Sequence, residues 1–214
     1  MMADCCTSGS LALEAAKRPT NIAYACLTSV YAHSTSTGNW TYTDALVRGF
    51  QGDPVMDTNG DGVISLDELA RYIQRQMAFV EEQKAIFAVT GGFPTDLTLT
   101  DATGKRGKGA GQSVTAQGSD GAWEKAEVRD KKPGQVQVRF AESHATEWVP
   151  ADHIRAFEPK DIAVGARVQA KDDDGKWYPA TVKTVWYGLV YVHYDRYNAE
   201  YDNWVGPDNL QLKP

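Results

Sequence analysis

The second half of the sequence contains the same pattern twice, and this repeat constrains the fold more than any other feature. Nine residues recur 54 positions later: Gly111, Val114, Ala116, Gly121, Trp123, Ala126, Val128, Val136 and Val138 return as Gly165, Val168, Ala170, Gly175, Trp177, Ala180, Val182, Val190 and Val192. Four recur 56 positions later: Trp148, Val149, Asp152 and Ile154 return as Trp204, Val205, Asp208 and Leu210. Each copy consists of short alternating strands broken by turn sequences such as SDG at 119–121. The repeat predicts two small all-β antiparallel barrels, at 112–158 and 159–214.

Residues 1–99 have a different pattern, which is typical of a mixed α/β fold. A strand-like apolar run covers 22–27, and two amphipathic helical stretches cover 42–50 and 66–80. The segment TDATGKRGKGAG at 100–111 is rich in glycine and basic residues and has no apolar periodicity, which predicts a linker. The chain is therefore predicted to be multidomain, with a partial α/β region followed by two all-β barrels.

Charge and cysteine content narrow the class of partner. The formal net charge is −6 and the sequence pI is about 5.2, which disfavours sequence-independent binding of nucleic acid. The three cysteines indicate no disulfide framework, and neither a membrane span nor a secretory signal is expected. These features predict a cytoplasmic protein whose partner is a protein or a cation and neither nucleic acid nor a membrane.

The twelve residues DTNGDGVISLDE at 57–68 have the spacing of a calcium loop of EF-hand type. The predicted ligands of Ca²⁺ are the side chains of Asp57, Asn59, Asp61, Ser65 and Glu68 and the carbonyl oxygen of Val63. Gly62 occupies the sixth position, where the backbone turns too sharply for a side chain. The alternative is a solvated acidic turn. Because the chain has no second loop to pair with Ile64, a weak or structural site is expected.

The segment from Asp4 to Ser10, DCCTSGS, resembles the D-C-C-H-S-G segment of metacaspases and related caspase-like cysteine peptidases. The stretches 21–34 and 37–53 also resemble the substrate-pocket loop and the following helix of that family. The resemblance implies that residues 1–99 form a partial caspase-like half-domain with Cys6 as the nucleophile. The alternative is that Cys5 and Cys6 are inert residues near a chain end.

A cysteine nucleophile needs a base, which the family supplies from an upstream H-G motif. None of the four histidines here is followed by glycine. The chain is therefore expected to be the C-terminal part of a longer peptidase, or to have a late assigned start. It is expected to be inactive without an N-terminal caspase-like half as its partner.

The second copy resembles a Tudor domain, an SH3-like barrel, in its strand DGKWYPATV and its turn VHYDRYNAE. The resemblance implies an aromatic cage for methylated lysine or arginine, with Tyr178, Tyr194 and Tyr197 at cage positions and either Tyr201 or Trp186 as the remaining wall. Lys171 stands where one wall of the cage is usually aromatic. The alternative is that the tyrosines are ordinary strand aromatics.

The first copy places non-cage residues at the corresponding positions, Glu124, Phe140 and Ser143, and is expected to lack a cage. Tryptophans common to both copies are assigned to packing; they are Trp123, Trp148, Trp177 and Trp204.

The sequence is consistent with two functions. The first is the calcium-binding C-terminal portion of a caspase-like cysteine endopeptidase with Tudor-like recognition barrels. The alternative is a non-catalytic calcium-binding adaptor whose barrels bind a protein or methylated-residue ligand. In both, a protein or peptide is expected to bind at the second barrel.

Overall fold

The structure is a computed structural model and describes residues 1–17, 22–32, 34–156, 162–172, 174–186 and 189–212. The chain divides into two compact units. The first comprises residues 1–77 and 83–106, and the second comprises residues 78–82 and 107–214. No helix in the described part of the chain is long and apolar enough to cross a membrane.

The first unit contains three α-helices and two small sheets within its described residues. The helices are α1 (Gly9–Lys17), α2 (Thr41–Phe50) and α3 (Leu66–Gln76). A π-helical turn (Met77–Glu81) follows α3, and its residues 78–81 belong to the second unit. The strands are β1 (Met2–Ala3), β2 (Tyr24–Thr28), β3 (Val63–Ser65), β4 (Ile86–Thr90) and β5 (Thr98–Asp101). One sheet has the order β1-β2-β4, with β1 parallel to β2, and the other pairs β3 with β5.

Helix α3 begins where the sequence predicted, because its first residues carry a complete capping box. The Ser65 hydroxyl accepts a hydrogen bond from the Glu68 amide, and the Glu68 carboxylate accepts one from the Ser65 amide. The helix buries Leu69 and Ile73 completely. A Cβ atom added at Gly49 would lie 2.5 Å from a Leu69 methyl, so α2 and α3 pack closely.

The second unit contains two five-stranded antiparallel sheets with the same topology. The first barrel has β6 (Ser113–Gln117), β7 (Trp123–Lys132), β8 (Gln135–Phe140), β9 (Thr146–Pro150) and β10 (Ile154–Ala156), in the order β10-β6-β7-β8-β9. The second has β11 (Arg167–Lys171), β12 (Trp177–Trp186), β13 (Leu189–Tyr194), β14 (Asn203–Val205) and β15 (Leu210–Leu212), in the equivalent order β15-β11-β12-β13-β14. The predicted tandem repeat is confirmed.

Strand registers also agree between the copies. Ala116 pairs with Ile154 in the first barrel, and the equivalent Ala170 pairs with Leu210 in the second. Each long second strand carries an irregularity at the same place, after Val128 and after Val182. A bulge bends a strand, so both sheets curl at equivalent points.

Alternate residues of each barrel form its apolar core. The first core consists of Val114, Ala116, Ala126, Val128, Val136, Val138, Phe140 and Val149. The second consists of Val168, Ala170, Ala180, Val182, Val190, Val192, Tyr194 and Val205. The spacing that the two copies share therefore reflects the burial of one face of each sheet, as expected for strands with one covered face.

Two sequence expectations about this architecture need correction. The predicted linker at 100–111 begins inside β5, where Thr100 pairs with Ile64 and Asp101 with Val63. The shared tryptophans do not belong to the buried cores. Trp148 and Trp177 are each 37% exposed, because they lie on the outward side of their strands.

Candidate functional site

The four tyrosines predicted to form a cage lie together at one end of the second barrel, and we call them the tyrosine cluster (Tyr178, Tyr194, Tyr197 and Tyr201). Tyr178 lies near the start of β12, and Tyr194 ends the adjacent strand β13. Tyr197 follows in the next turn, and Tyr201 closes a 3₁₀ turn, Ala199–Tyr201. A strand pair and the loop that follows it therefore bring these residues together.

Neighbouring rings of the tyrosine cluster meet edge to face. The Tyr178 and Tyr197 ring centroids are 5.6 Å apart at an interplanar angle of 77°. The Tyr197 and Tyr201 centroids are also 5.6 Å apart, and the Tyr178 and Tyr194 centroids are 6.2 Å apart. These separations are typical of rings in direct contact. A ligand cation would therefore meet the outward faces of the rings.

The members of the tyrosine cluster differ in how much of their surface is exposed to solvent. Tyr194 is 2% exposed, belongs to the barrel core and donates its hydroxyl proton to the Lys171 carbonyl oxygen at 3.2 Å. Tyr197 is 45% exposed. Tyr178 and Tyr201 are partly buried. Tyr194 therefore forms the floor of the cluster, and Tyr197 presents most of the accessible aromatic surface.

A carboxylate lies beside the aromatic rings. The Tyr178 hydroxyl donates to an Asp174 carboxylate oxygen at 2.7 Å. This hydrogen bond raises the pKa of Tyr178 to about 12 and lowers the pKa of Asp174. Asp174 therefore stays ionised near the cluster, which favours a cationic ligand. Sequence reasoning missed this residue, although its place in the turn just before Tyr178 was a usable signal.

The first barrel has a different surface at the equivalent place. Phe140 is buried in the core, and Ser143 accepts a hydrogen bond from the Ala145 amide. One carboxylate oxygen of Glu124 is buried without a hydrogen-bond partner within the described residues. Burial raises the pKa of Glu124, and the charges of Glu142, Asp120 and Glu147 raise it further. This copy has no tyrosine cluster.

Glu124→Gln is expected to stabilise the protein at pH 7 by up to about 1 kcal/mol, because it removes an ionised group from an unfavourable site. Folding raises the pKa of Glu124. The ionised side chain therefore lowers the free energy of unfolding only at pH values above its unfolded-state pKa. The gain should be complete above the raised folded-state pKa and should disappear as the pH falls below the ordinary value for glutamate. Urea denaturation at pH 7 and pH 3 measures it. The exposed Asp152→Asn on the same barrel is the control, and an equal gain there would contradict the assignment.

The loop at 57–68 is closed by its own hydrogen bonds. The Asp57 carboxylate accepts from the Gly60 amide at 2.7 Å and from the Gly62 amide at 3.1 Å. Asn59 accepts from the Asp61 amide, and Asp61 accepts from the Val63 amide. The predicted ligand side chains are therefore largely directed at backbone amides of the loop.

Glu68 is directed at amides and hydroxyls as well. Its Oε1 accepts from the Thr58 amide at 2.8 Å, and its Oε2 accepts from the Ser65 amide at 3.1 Å and the Ser65 hydroxyl at 2.9 Å. Within the described ranges, no group of three or more acidic, histidine or cysteine side chains is placed to hold a metal. The oxygen donors of the predicted set, which also includes Asn59, Ser65 and the Val63 carbonyl, suit calcium chemically. Calcium binding stays a prediction from the sequence.

Cys6 lies in an exposed turn before α1, and the following residue, Thr7, has a φ of 57°. Among the described residues, no hydrogen bond of the Cys6 thiol is present. Two histidines are engaged elsewhere: His144 contacts Arg139 at 2.7 Å, and His193 contacts Asp202 at 2.6 Å. His33 lies outside the described residues.

Comparison with known proteins finds a family match in the first barrel. Residues 113–159 match the Agenet domain. PHD finger protein 20-like protein 1 of Gallus gallus is 38% identical over 53 residues, which is 24% of this chain and 7% of that protein. PHD finger protein 20 of Homo sapiens is 40% identical over 53 residues, 24% of this chain and 5% of that protein. The chain thus matches only a small part of these relatives.

Solved structures with a detectable likeness include two tandem-repeat proteins. The ADCP1 tandem Agenet domain 3-4 is 22% identical, with 49% of this chain and 79% of that chain covered and a TM-score of 0.22. The four MBT repeats of Drosophila melanogaster Sfmbt, in complex with a peptide containing methylated lysine, are 15% identical, with 50% and 39% covered and a TM-score of 0.23. TM-scores this low support no argument from overall structure.

These findings correct the resemblance to a caspase-like peptidase, which was wrong. The family match and the relatives concern an Agenet domain and PHD finger proteins, and they give no support to a peptidase or to calcium binding. The physical reason is that the segment from Asp4 to Ser10 is a turn that leads into helix α1, and so short a segment does not by itself specify a fold. The assignment of Cys6 as a nucleophile and the expected N-terminal caspase-like partner are withdrawn with it.

Proposed function

We propose that the chain is a non-catalytic protein-recognition region and that its second barrel binds a methylated lysine or arginine side chain of a protein partner. The observation that carries the proposal is the continuous series of ring contacts from the buried Tyr194 through Tyr178 and Tyr197 to Tyr201. The Agenet match in the first barrel supports a recognition role, and the shared topology extends that reading to the second barrel.

The chemistry of the cluster suits a methylated cation. Methylation leaves the positive charge in place while reducing the hydration of the ammonium or guanidinium group, so the faces of aromatic rings can replace water. Tyr197 supplies the most exposed face, and the Asp174 carboxylate adds negative charge beside Tyr178. A cation–π contact is worth about 0.5–2 kcal/mol depending on its exposure to solvent.

Titration of the full chain with N-acetyl-trimethyl-lysine amide, followed by NMR of the tyrosine rings, tests the proposal. Signals of the tyrosine cluster should shift with this probe and should respond much less to N-acetyl-lysine amide. Tyr197→Ala should weaken binding by up to about tenfold, whereas Tyr197→Phe should retain most of it because the ring remains.

Tyr191→Ala provides a matched control, because Tyr191 lies on the same strand β13 but contacts Trp204 instead of the cluster. It should leave binding of the probe unchanged. An equal response to the methylated and unmethylated probes, or binding that survives Tyr197→Ala, would show that the tyrosines serve only in packing.

A further inference from the structure

The outward faces of the two barrels differ in charge at the equivalent residues Arg155 and Gln211. In the first barrel, the Arg155 guanidinium carbon lies 3.7 Å from the centroid of the Trp123 ring. Arg155 lies on β10, which pairs with β6, and Trp123 lies on β7, on the other side of β6. The first barrel thus covers its own tryptophan with a guanidinium group across three strands.

Strand register identifies the same place in the second barrel. Trp177 pairs with Lys171 as Trp123 pairs with Gln117. Gln211 pairs with Gln169, and the equivalent Arg155 pairs with Thr115. Gln211 therefore occupies the position of Arg155, and a neutral amide replaces the guanidinium group beside the second tryptophan.

Trp177 is left accessible by this replacement. It is 37% exposed, and its ring contacts no cation or other ring among the residues that the structure describes. Successive residues of a strand point to opposite faces, so Trp177 and the adjacent Tyr178 face opposite sides of the sheet. Trp177 is thus separate from the tyrosine cluster.

We propose that the ring of Trp177 is a docking point for an arginine side chain of a protein partner. Arginine is the favoured occupant because the first barrel places an arginine on the equivalent ring. A planar guanidinium group stacks on an indole and is more weakly hydrated than an ammonium group, so lysine is a poorer substitute. The contact contributes a few-fold in affinity, as expected for one exposed cation–π pair, and acts alongside other contacts of the partner.

Exchanging the side chains of the equivalent residues Arg155 and Gln211, one at a time in the full chain, tests this proposal. The probe is a tetra-arginine peptide, with tetra-lysine as the charge-matched control, and the readout is the ¹⁵N-indole NMR signal of each tryptophan, assigned with Trp177→Phe and Trp123→Phe. In the unmutated protein, tetra-arginine should shift the Trp177 signal more than tetra-lysine does, and the Trp123 signal should respond little.

Gln211→Arg should supply an internal guanidinium group and abolish the response of Trp177. Arg155→Gln should uncover Trp123 and create a response there. Tyr197→Ala should leave the Trp177 response unchanged, which keeps this result independent of the proposed methylated-residue site. Equal shifts with the two peptides, or a Trp177 response that persists in Gln211→Arg, would overturn the proposal, because general charge attraction would then explain the shifts.

Discussion

Gly52→Ala is expected to destabilise the first unit by about 2–5 kcal/mol, a figure that combines backbone strain with overpacking. Gly52 has a φ of 80°, a conformation that a residue with a Cβ atom rarely adopts. A Cβ atom here would also lie 2.3 Å from the Asp101 carbonyl oxygen, at the end of β5. Backbone atoms cannot yield as a flexible side chain can, so the two penalties should add.

Gly60→Ala separates the two contributions. Gly60 has a similar φ of 77°, but a Cβ atom added there would meet nothing within 4 Å. This variant should therefore lose only the conformational part, about 1–2 kcal/mol. Urea denaturation, followed by the fluorescence of Trp40 in a variant that retains no other tryptophan, measures both. Equal losses for the two glycines would show that the close approach to Asp101 carries no cost.

Glu68→Gln is expected to destabilise the first unit by about 2–3 kcal/mol at neutral pH, because charge-assisted hydrogen bonds from the Thr58 and Ser65 amides are lost. Burial alone would raise the pKa of Glu68, but the hydrogen bonds from Ser65 and Thr58 outweigh it and lower the pKa. A lowered folded-state pKa contributes stability above the unfolded-state value, and that contribution is lost as the pH falls through the folded-state pKa. The effect of the substitution should therefore shrink in acid.

Asp67→Asn is the matched control for Glu68→Gln. Asp67 lies in the same first turn of α3, but its partner Arg71 is 62% exposed, so its loss should cost less than about 1 kcal/mol. Calorimetric titration of the same proteins with Ca²⁺ tests the sequence prediction of a metal site. Heat of binding that disappears in Glu68→Gln would support that prediction, and its absence from the unmutated protein would reject it.

Regular periodicity accounts for the parts of the fold that could be predicted. The strands of both barrels alternate between covered and open faces, and the spacing of Val114, Ala116 and their equivalents follows that alternation. Helices α2 and α3 were likewise visible as amphipathic stretches. The tyrosines were found from two local motifs, and the structure places all four together because the strands that carry these motifs, β12 and β13, pair with each other.

Most of the structural features that the sequence did not predict depend on contacts between residues far apart in the chain. The pairing of β5 with β3 joins residues more than thirty positions apart, and the sequence near Asp101 has the composition of a linker. Glu68 is predicted as a ligand because its spacing fits a metal loop, and the structure places its carboxylate over the amides of Thr58 and Ser65. Spacing alone cannot distinguish an oxygen that binds a cation from one that accepts hydrogen bonds.

The short strands that complete the two barrels have a consequence for folding. Ile154–Ala156 and Leu210–Leu212 each pair with the first strand of their own copy, and the registers are equivalent. Main-chain hydrogen bonding therefore does not distinguish the correct partner from the incorrect one, and exchange of these segments between copies is a competing route during synthesis or refolding. Side chains that differ between the copies, such as Arg155 over Trp123, favour the correct pairing.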